Sequence, residues 1–338
     1  MTNTLHLDKK EAWDLAFNAL QHNLTSKENA KDVADALISA EIDGQPGHGL
    51  SRLPSYIEQL SSGKVDGNVN PTIVSSKGGV IRIDAKHGFA FPALSLAINE
   101  LTNATKKYGI AAVSVSNSHH FGQAGRYVEC LADSGLIGLM FGNTPKAIPP
   151  WGGTQALFGT NPIAFSAPRK NAPALVIDLS LSKVARGKVM LANQKKERIP
   201  EGWAIDEQGN PTTNAQKALS GAMLPIGDAK GSALALMVEI LAAGLSDSKF
   251  GFEASSFLDS EGDSPDVGQL LIAIDPGFFS GDSFSDRMET IVSAILEQPS
   301  TRLPGTKRLE KRKKSKEKNI AISKQLFDEI TKLTESIL

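Results

Sequence analysis

Val80-Ile81-Arg82-Ile83, a helix-like stretch from 92 to 108, and Ala111-Ala112-Val113-Ser114-Val115 together decide the fold class. The two outer runs are short and rich in β-branched residues, while the stretch between them is long enough for a helix. Strand, helix, strand in that order reads as α/β. Further strands are expected at 137–141, 163–165, 174–177 and 269–274, with a helix over 230–245, so a layered α/β unit fills the middle of the chain.

Outward from that middle the texture changes. Towards the N-terminus, Trp13, Ala16 and Leu20, then Val33, Ala34, Leu37, Ile38 and Ile42, recur at helical spacing, and the first 60 residues read as helices. Asp43-Gly44-Gln45-Pro46-Gly47-His48-Gly49 interrupts them before Leu53, Tyr56, Ile57 and Leu60 resume the stripe. The segment 246–268 is rich in Ser, Asp and Gly without periodicity and reads as a surface loop flanking something. Near the C-terminus, Lys307, Arg308, Lys311, Arg312, Lys313, Lys314, Lys316 and Lys318 form a basic cluster, followed by a helical stripe of Ile322, Leu326, Phe327, Ile330 and Leu333.

Composition removes several function classes. Thirty-six Lys and Arg against 37 Asp and Glu give a net charge of -1 over 338 residues, which argues against a nucleic-acid clamp despite the basic cluster. No apolar run approaches the roughly 20 residues of a membrane span. The polar start, Met1 to Lys10, lacks the apolar stretch of an export signal, so a cytoplasmic protein is expected. Cys130 is the only cysteine, which excludes an internal disulfide framework and is expected to be a buried structural thiol.

The residues able to carry chemistry fall at loops. His48 sits between Gly47 and Gly49 with Arg52 four residues on, so a group titrating near neutrality stands beside a guanidinium that grips carboxylates bidentately. That pair suits a reaction on a small carboxylate. Ser116-Asn117-Ser118-His119-His120-Phe121-Gly122-Gln123-Ala124-Gly125 follows a strand and precedes a helix, where backbone N–H groups favour an anion such as phosphate. His119 and His120 with His48 would also suit a metal, but no carboxylate lies at ligand spacing and no metal is expected. Phe158-Gly159-Thr160-Asn161-Pro162, Asp178-Leu179-Ser180-Leu181-Ser182 after an apolar strand, Arg186-Gly187-Lys188 and Asp228-Ala229-Lys230-Gly231 add hydroxyls and cations at element ends. Neither a G-x-G-x-x-G fingerprint after a strand nor a P-loop is present, so a nucleotide would bind by another route.

Taken together, these motifs resemble the type-2 malate/L-lactate dehydrogenase family, NAD(P)-dependent oxidoreductases that lack the Rossmann fold. The likeness runs from Asp43 to Pro54 through His119-His120-Phe121-Gly122, Leu157 to Pro162, Ala185-Arg186-Gly187-Lys188, Ile199 to Ala204 and Asp228-Ala229-Lys230-Gly231 to Arg302-Leu303-Pro304-Gly305. The resemblance implies a homodimer and a non-Rossmann α/β fold, a mixed sheet with helices plus a helical domain from both chain ends. Residues 1–72 with 295–338 would form the helical domain and 73–294 the cofactor-binding domain, with the active site between them.

It further implies roles for residues. His48 matches the proton donor and Arg52 the carboxylate clamp, with Thr160, Arg186 and Gly187 at the substrate. His120, Phe121, Gly122, Gln123, Ala124, Asp178, Leu179, Ser180, Ala229 and Lys230 match cofactor-contacting positions, as do Pro304, Gly305, Thr306, Lys307, Arg308, Leu309 and Glu310. Lys307 and Arg308 would meet dinucleotide phosphates, which favours NADPH over NADH as cofactor. Members acting on cyclic imines place Ser before the catalytic His and Asp after the Arg-Gly pair as a charge relay. Here those positions are Gly47 and Lys188, so a relay through these side chains is impossible. The histidine loop looks most like members reducing Δ1-pyrroline-2-carboxylate to L-proline, the last step in trans-3-hydroxy-L-proline breakdown, and that reaction is the expected one. Reduction of a linear 2-oxo acid, or of Δ1-piperideine-2-carboxylate, is the alternative.

Overall fold

In the computed structural model, which describes residues 4–317 and 319–335, the N-terminal third runs β1 (Thr4–Leu7), α1 (Lys9–Gln21), α2 (Lys27–Ile42) and α3 (Leu53–Ser61). The sheet region follows as β2 (Thr72–Lys77), β3 (Val80–Asp84), α4 (Ala90–Tyr108), β4 (Ile110–Ser118), α5 (Ala124–Asp133), β5 (Ile137–Gly142), β6 (Ile163–Ala167) and β7 (Leu175–Leu179). A small excursion adds α6 (Arg186–Gln194), β8 (Ala204–Ile205), β9 (Pro211–Thr212), α7 (Ala215–Ser220) and β10 (Ala222–Met223). The chain closes with α8 (Ala229–Val238), β11 (Val267–Ile274), α9 (Gly277–Ser280), α10 (Ser283–Leu296), α11 (Thr306–Glu317), β12 (Ile320–Ser323) and α12 (Lys324–Glu335).

The strand–helix–strand unit read from the sequence is β3-α4-β4, and β3 and β4 pair parallel, as a helical crossover requires. Around it the seven-stranded sheet runs β2-β3-β4-β11-β5-β6-β7 with every other pairing antiparallel. This mixed order differs from the parallel sheet of a Rossmann domain. Period-two alternation gives each strand two faces. Val113 and Val115 of β4 with Leu271 and Ala273 of β11 pack against Leu94 and Leu101 of α4 and Val128 and Leu131 of α5. On the opposite face, Leu270 and Phe141 meet Ala235 and Val238 of α8 and Ala242 beyond it.

A separate core draws on both ends of the chain. Ala16, Leu20, Leu37, Leu53 and Tyr56 pack with Ile320, Ile322 and Ile330. Fully buried leucines such as Leu20, Leu37 and Leu53 contribute about 2 kcal/mol each. The 184–223 excursion has its own small core of Val189, Ile199, Ala204, Ala218 and Met223.

Several local expectations are corrected. The first described residues form a strand rather than helix, because β1 pairs antiparallel with β12. Ile322 therefore belongs to β12, where buried Ile320 and Ile322 alternate with exposed Ala321 and Ser323, and the helical stripe starts later, at Leu326. The strand expected to end at Ile177 continues through Asp178 and Leu179, held by pairing with Ala164 and Ile163 of β6. The 230–245 helix changes pitch at Glu239, from which a π-helical turn runs to Gly244. Cys130 is exposed rather than buried, because it lies on the outer side of amphipathic α5, whose inner side is filled by Tyr127, Val128 and Leu131. Lys318 of the basic cluster lies outside the described residues.

Candidate active site

The histidine loop is built from two 3-10 turns, Pro46–His48 and Leu50–Arg52, rather than one continuous helix. Pro54 then sits in the first turn of α3, where a missing N–H costs nothing. Glu41 near the end of α2 accepts the Leu50 N–H at 2.8 Å, and its carboxyl fills the space where a side chain at Gly49 would lie. The loop is thus clamped from behind. Arg52 donates Nε–H to the Gly47 carbonyl at 2.7 Å, and its two terminal amino groups make no hydrogen bond among the described residues. A guanidinium with that free edge is what a substrate carboxylate needs.

Opposite this loop, the β4–α5 connection supplies His119 and His120. The His120 ring lies nearly parallel to His48, 12° between planes and 5.4 Å between centroids. The Tyr56 hydroxyl shares a 2.6 Å hydrogen bond with His120 Nδ1. Gln59 donates its amide N–H to the Phe257 carbonyl, which turns its Oε1 toward His119 at 2.7 Å. That orientation makes His119 Nε2 the protonated nitrogen and leaves Nδ1 buried without a partner. Phe257 packs on both rings, 5.4 Å from His119 and 5.3 Å from His120.

Burial and neighbouring cations suppress protonation of the three histidines. Burial, then Arg52, brings His48 down to about 4. Burial, then Lys64 and Arg52, brings His119 to about 3. For His120 burial dominates, with Arg52, His48 and His119 adding, and the shift is well below the ordinary value. Burial also raises the Tyr56 hydroxyl, so it keeps its proton. At neutral pH the three rings are uncharged beside one guanidinium. His48 Nδ1 is enclosed and unpartnered.

A second group of expected residues gathers at the start of α5. Gly122 takes the left-handed conformation, φ +68°, that lets the chain turn into the helix. Gln123 caps that helix without a side-chain hydrogen bond, and both its amide atoms are buried without partners. Asp178 accepts the Gly125 N–H at 2.7 Å, which joins the end of β7 to the same helix start. Gly305 abuts the Val176 carbonyl, so the 304–310 segment reaches this place too. A helix N-terminus with orphaned amide groups and a close-lying glycine segment fits a dinucleotide, whose phosphates and carboxamide need such partners.

The basic tail divides. Arg308 places its terminal amino groups on Glu129 at 2.9 Å and on Asp43 at 3.3 Å, while Arg312 binds Asp43 at 2.8 and 2.9 Å and also Glu129. Burial pushes Glu129 up, but Arg312 and Arg308 outweigh it and hold it below the usual carboxylate range. Lys311 reaches the Gly44 carbonyl and Ser315 the Ile42 carbonyl. The inner face of α11 therefore grips residues 42–44, just ahead of the histidine loop, whereas Lys307 and Glu310 are exposed.

The remaining expected residues have partners of their own or are exposed. Thr160 lies beside Ser180, whose hydroxyl donates to its carbonyl at 3.3 Å. Arg186 opens α6 with Nε buried and unpartnered, next to exposed Gly187. Ala229 and Lys230 open α8 and are exposed, as is Leu179, while Pro304, Thr306 and Leu309 line the start of α11. No hydrogen bond or ring contact joins these to His48 among the described residues. Tyr56, Gln59 and Phe257 went unassigned in the sequence. Tyr56 and Gln59 follow Arg52 at i+4 and i+7 and were readable as its helical face, but nothing local marks Phe257.

Three comparisons bear on this arrangement. The chain is 52% identical over 299 residues, 88% of its length and 89% of the relative's, to a (2R)-3-sulfolactate dehydrogenase (NADP(+)) of Chromohalobacter salexigens. It is 39% identical over 328 residues, covering 96% of this chain and 98% of the other, to a Δ1-pyrroline-2-carboxylate/Δ1-piperideine-2-carboxylate reductase of Pseudomonas aeruginosa. The crystal structure of Δ1-piperideine-2-carboxylate reductase from Pseudomonas syringae superposes with a TM-score of 0.92 at 37% identity, over 97% of this chain and 99% of that one. The malate/L-lactate dehydrogenase family matches residues 7–331, and the chain belongs to that family of oxidoreductases.

Proposed function

We propose that this protein is an NADP-dependent dehydrogenase interconverting a 2-hydroxy acid and its 2-oxo acid, with 3-sulfolactate and 3-sulfopyruvate the first pair to test. The observation that carries this is the 52% identity to a sulfolactate dehydrogenase, against 39% to the cyclic-imine reductase. The substrate loop agrees with it. Lys188 stands where the imine reductases carry Asp, and Arg186 keeps a buried, unpartnered Nε. Positive charge there suits a second anionic group on the substrate rather than an iminium.

Held at the α5 start, Asp178 and the 304–310 segment, a nicotinamide dinucleotide would provide hydride chemistry at C2, donating in reduction and accepting in oxidation. Arg52 holds the substrate carboxylate on its free amino groups, and His48, neutral in the ligand-free site, takes the C2 hydroxyl proton during oxidation and returns it during reduction. Carboxylate binding at Arg52 offsets the positive field that lowers His48, so the ring is more easily protonated in the complex than in the free protein. The 304–310 segment, the α5 start and Asp178 are read as the cofactor side, with Lys307 the outward cation for a phosphate.

The cyclic-imine reading remains the second one, supported by the Asp43–Gly49 loop and by the 39% identity to a cyclic-imine reductase. Under either reading we infer two domains, 1–72 with 295–338 and 73–294, and a homodimer as the working unit. Exposed Leu234, Leu236, Met237, Ile240 and Leu245, on α8 and beyond it, support an apolar contact between copies. Light scattering after gel filtration tests the dimer.

Oxidation of NADPH and of NADH is followed with 3-sulfopyruvate, oxaloacetate, pyruvate, Δ1-pyrroline-2-carboxylate and Δ1-piperideine-2-carboxylate in parallel. Fastest turnover of 3-sulfopyruvate with NADPH is expected. Turnover confined to the imines overturns the first reading in favour of the second.

A further inference from the structure

Glu239 is almost wholly buried and opens the π-helical turn after α8, yet forms no ion pair among the described residues. Its two oxygens meet four N–H donors instead. Oε1 accepts the Gly159 backbone N–H at 3.1 Å and the Asn161 amide at 2.9 Å, and Oε2 accepts the Gly251 backbone N–H at 3.0 Å and the Asn143 amide at 3.2 Å. A buried carboxylate without a cation is costly, and it persists only where such a set of donors is fixed around it.

Three of those donors lie on the segments that carry Thr160 and Phe257, Gly159 and Asn161 beside the first and Gly251 ahead of the second. Asn161, in the left-handed region at φ +42°, turns its Oδ1 to the Thr144 N–H at 3.3 Å. The Thr144 hydroxyl accepts the Thr160 N–H at 2.9 Å and lies 3.3 Å from the Thr160 hydroxyl. A continuous run therefore leads from Glu239 through Asn161 and Thr144 to Thr160. On the other oxygen, Gly251 begins the loop that carries Phe257 onto His119 and His120. The approach leaves no room for a side chain at Gly251: a Cβ there would stand 2.8 Å from the Gly159 nitrogen and 2.9 Å from Glu239 Oε1.

We propose that Glu239 is a positioning residue: it aims the Thr160 hydroxyl at the substrate through Asn161 and Thr144 while tying the Phe257 loop to the same anchor. This rests on the reading of Thr160 as a substrate contact. The π-helical turn that Glu239 opens is a feature that recurs at functional sites.

The test compares Thr160→Val, Thr144→Val, Glu239→Gln and the Thr144→Val/Glu239→Gln pair, using NADPH with 3-sulfopyruvate, or with Δ1-pyrroline-2-carboxylate should that be turned over faster. Glutamine offers one acceptor oxygen and turns an amide N–H2 on two donors. The expected result is that all three single variants raise KM for the acid about tenfold or more, with NADPH affinity within threefold of the parent, and that the pair is no worse than twice its more severe member. Thr160→Val without effect on KM overturns the substrate reading itself. An effect of Thr160→Val alongside a Thr144→Val or Glu239→Gln that shifts only the melting temperature overturns the positioning role. Should Glu239→Gln fail to fold, Thr144→Val decides alone: a KM rise supports the relay and an unchanged KM removes it.

Discussion

His48 and His120 lie nearly parallel, 5.4 Å between centroids, and beyond burial Arg52 makes both harder to protonate while His48 adds to the effect on His120. The free site therefore holds neutral imidazoles at neutral pH. That sets the direction of its pH dependence.

With His48 near 4 in the free protein, kcat/KM for oxidation of the hydroxy acid should climb with pH up to about 4 and stay flat above it. For reduction it should fall about tenfold per unit above that point, because the protonated ring becomes scarce. His48→Gln should lower kcat by about 10²- to 10⁴-fold and abolish the dependence while NADPH still binds, as read by fluorescence. A break near 6.5 in either profile would show a solvated ring and sink this account.

The same histidines tie stability to pH. Each folded-state value lies below the ordinary 6.5, so the unfolded chain binds protons first as pH drops. Their contribution is complete above about 6.5 and is lost as pH falls from there toward 4, by up to about 1.4 kcal/mol per unit for each ring. Urea midpoints from pH 7.5 to 4.5 measure it. Flat midpoints across that window would mean that the rings are not buried neutral.

Arg52→Gln keeps a donor for the Gly47 carbonyl but removes the cation. KM for the acid should rise about 10- to 100-fold, the worth of a charge-assisted pair, with NADPH affinity unchanged. Steady-state kinetics beside cofactor titration separates the two. An unaltered KM would remove the carboxylate from Arg52.

Neighbouring cations in α11 should behave differently. Lys307→Ala is expected to weaken NADPH severalfold and leave NADH alone, since its side chain is exposed. Arg308→Ala should instead lower stability by about 3 kcal/mol or less, because Asp43 and Glu129 lose one of two guanidinium partners. Cofactor titration and thermal unfolding of both variants would contradict this if the effects were exchanged.

A Cβ on Gly47 would meet no atom within 4 Å, so a serine fits there without repacking. Gly47→Ser with Lys188→Asp restores the side chains of the imine-type relay and removes a cation. The ratio of Δ1-pyrroline-2-carboxylate to 3-sulfopyruvate turnover should rise by an order of magnitude or more. A ratio that stays put would mean that other residues set substrate choice.

Periodicity and glycine placement in the sequence were enough for the β3-α4-β4 unit, the paired helices ahead of His48 and the proximity of His48 to Arg52, because each is set by neighbours within a turn or two. Motif order was enough for the family. Tertiary structure alone decided what faces those residues. Stacking of His120 on His48, Phe257 against both histidines and the inward turn of Arg308 join positions far apart in the chain. So does the pairing of β1 with β12, which draws Ile322 out of its helical stripe. Such contacts follow from how separate elements pack, and no local propensity encodes which distant partner will fill a buried donor or acceptor. Glu239 is the clearest case: in sequence it is one acid within an apolar helix, and only the fold brings four N–H groups to its two oxygens.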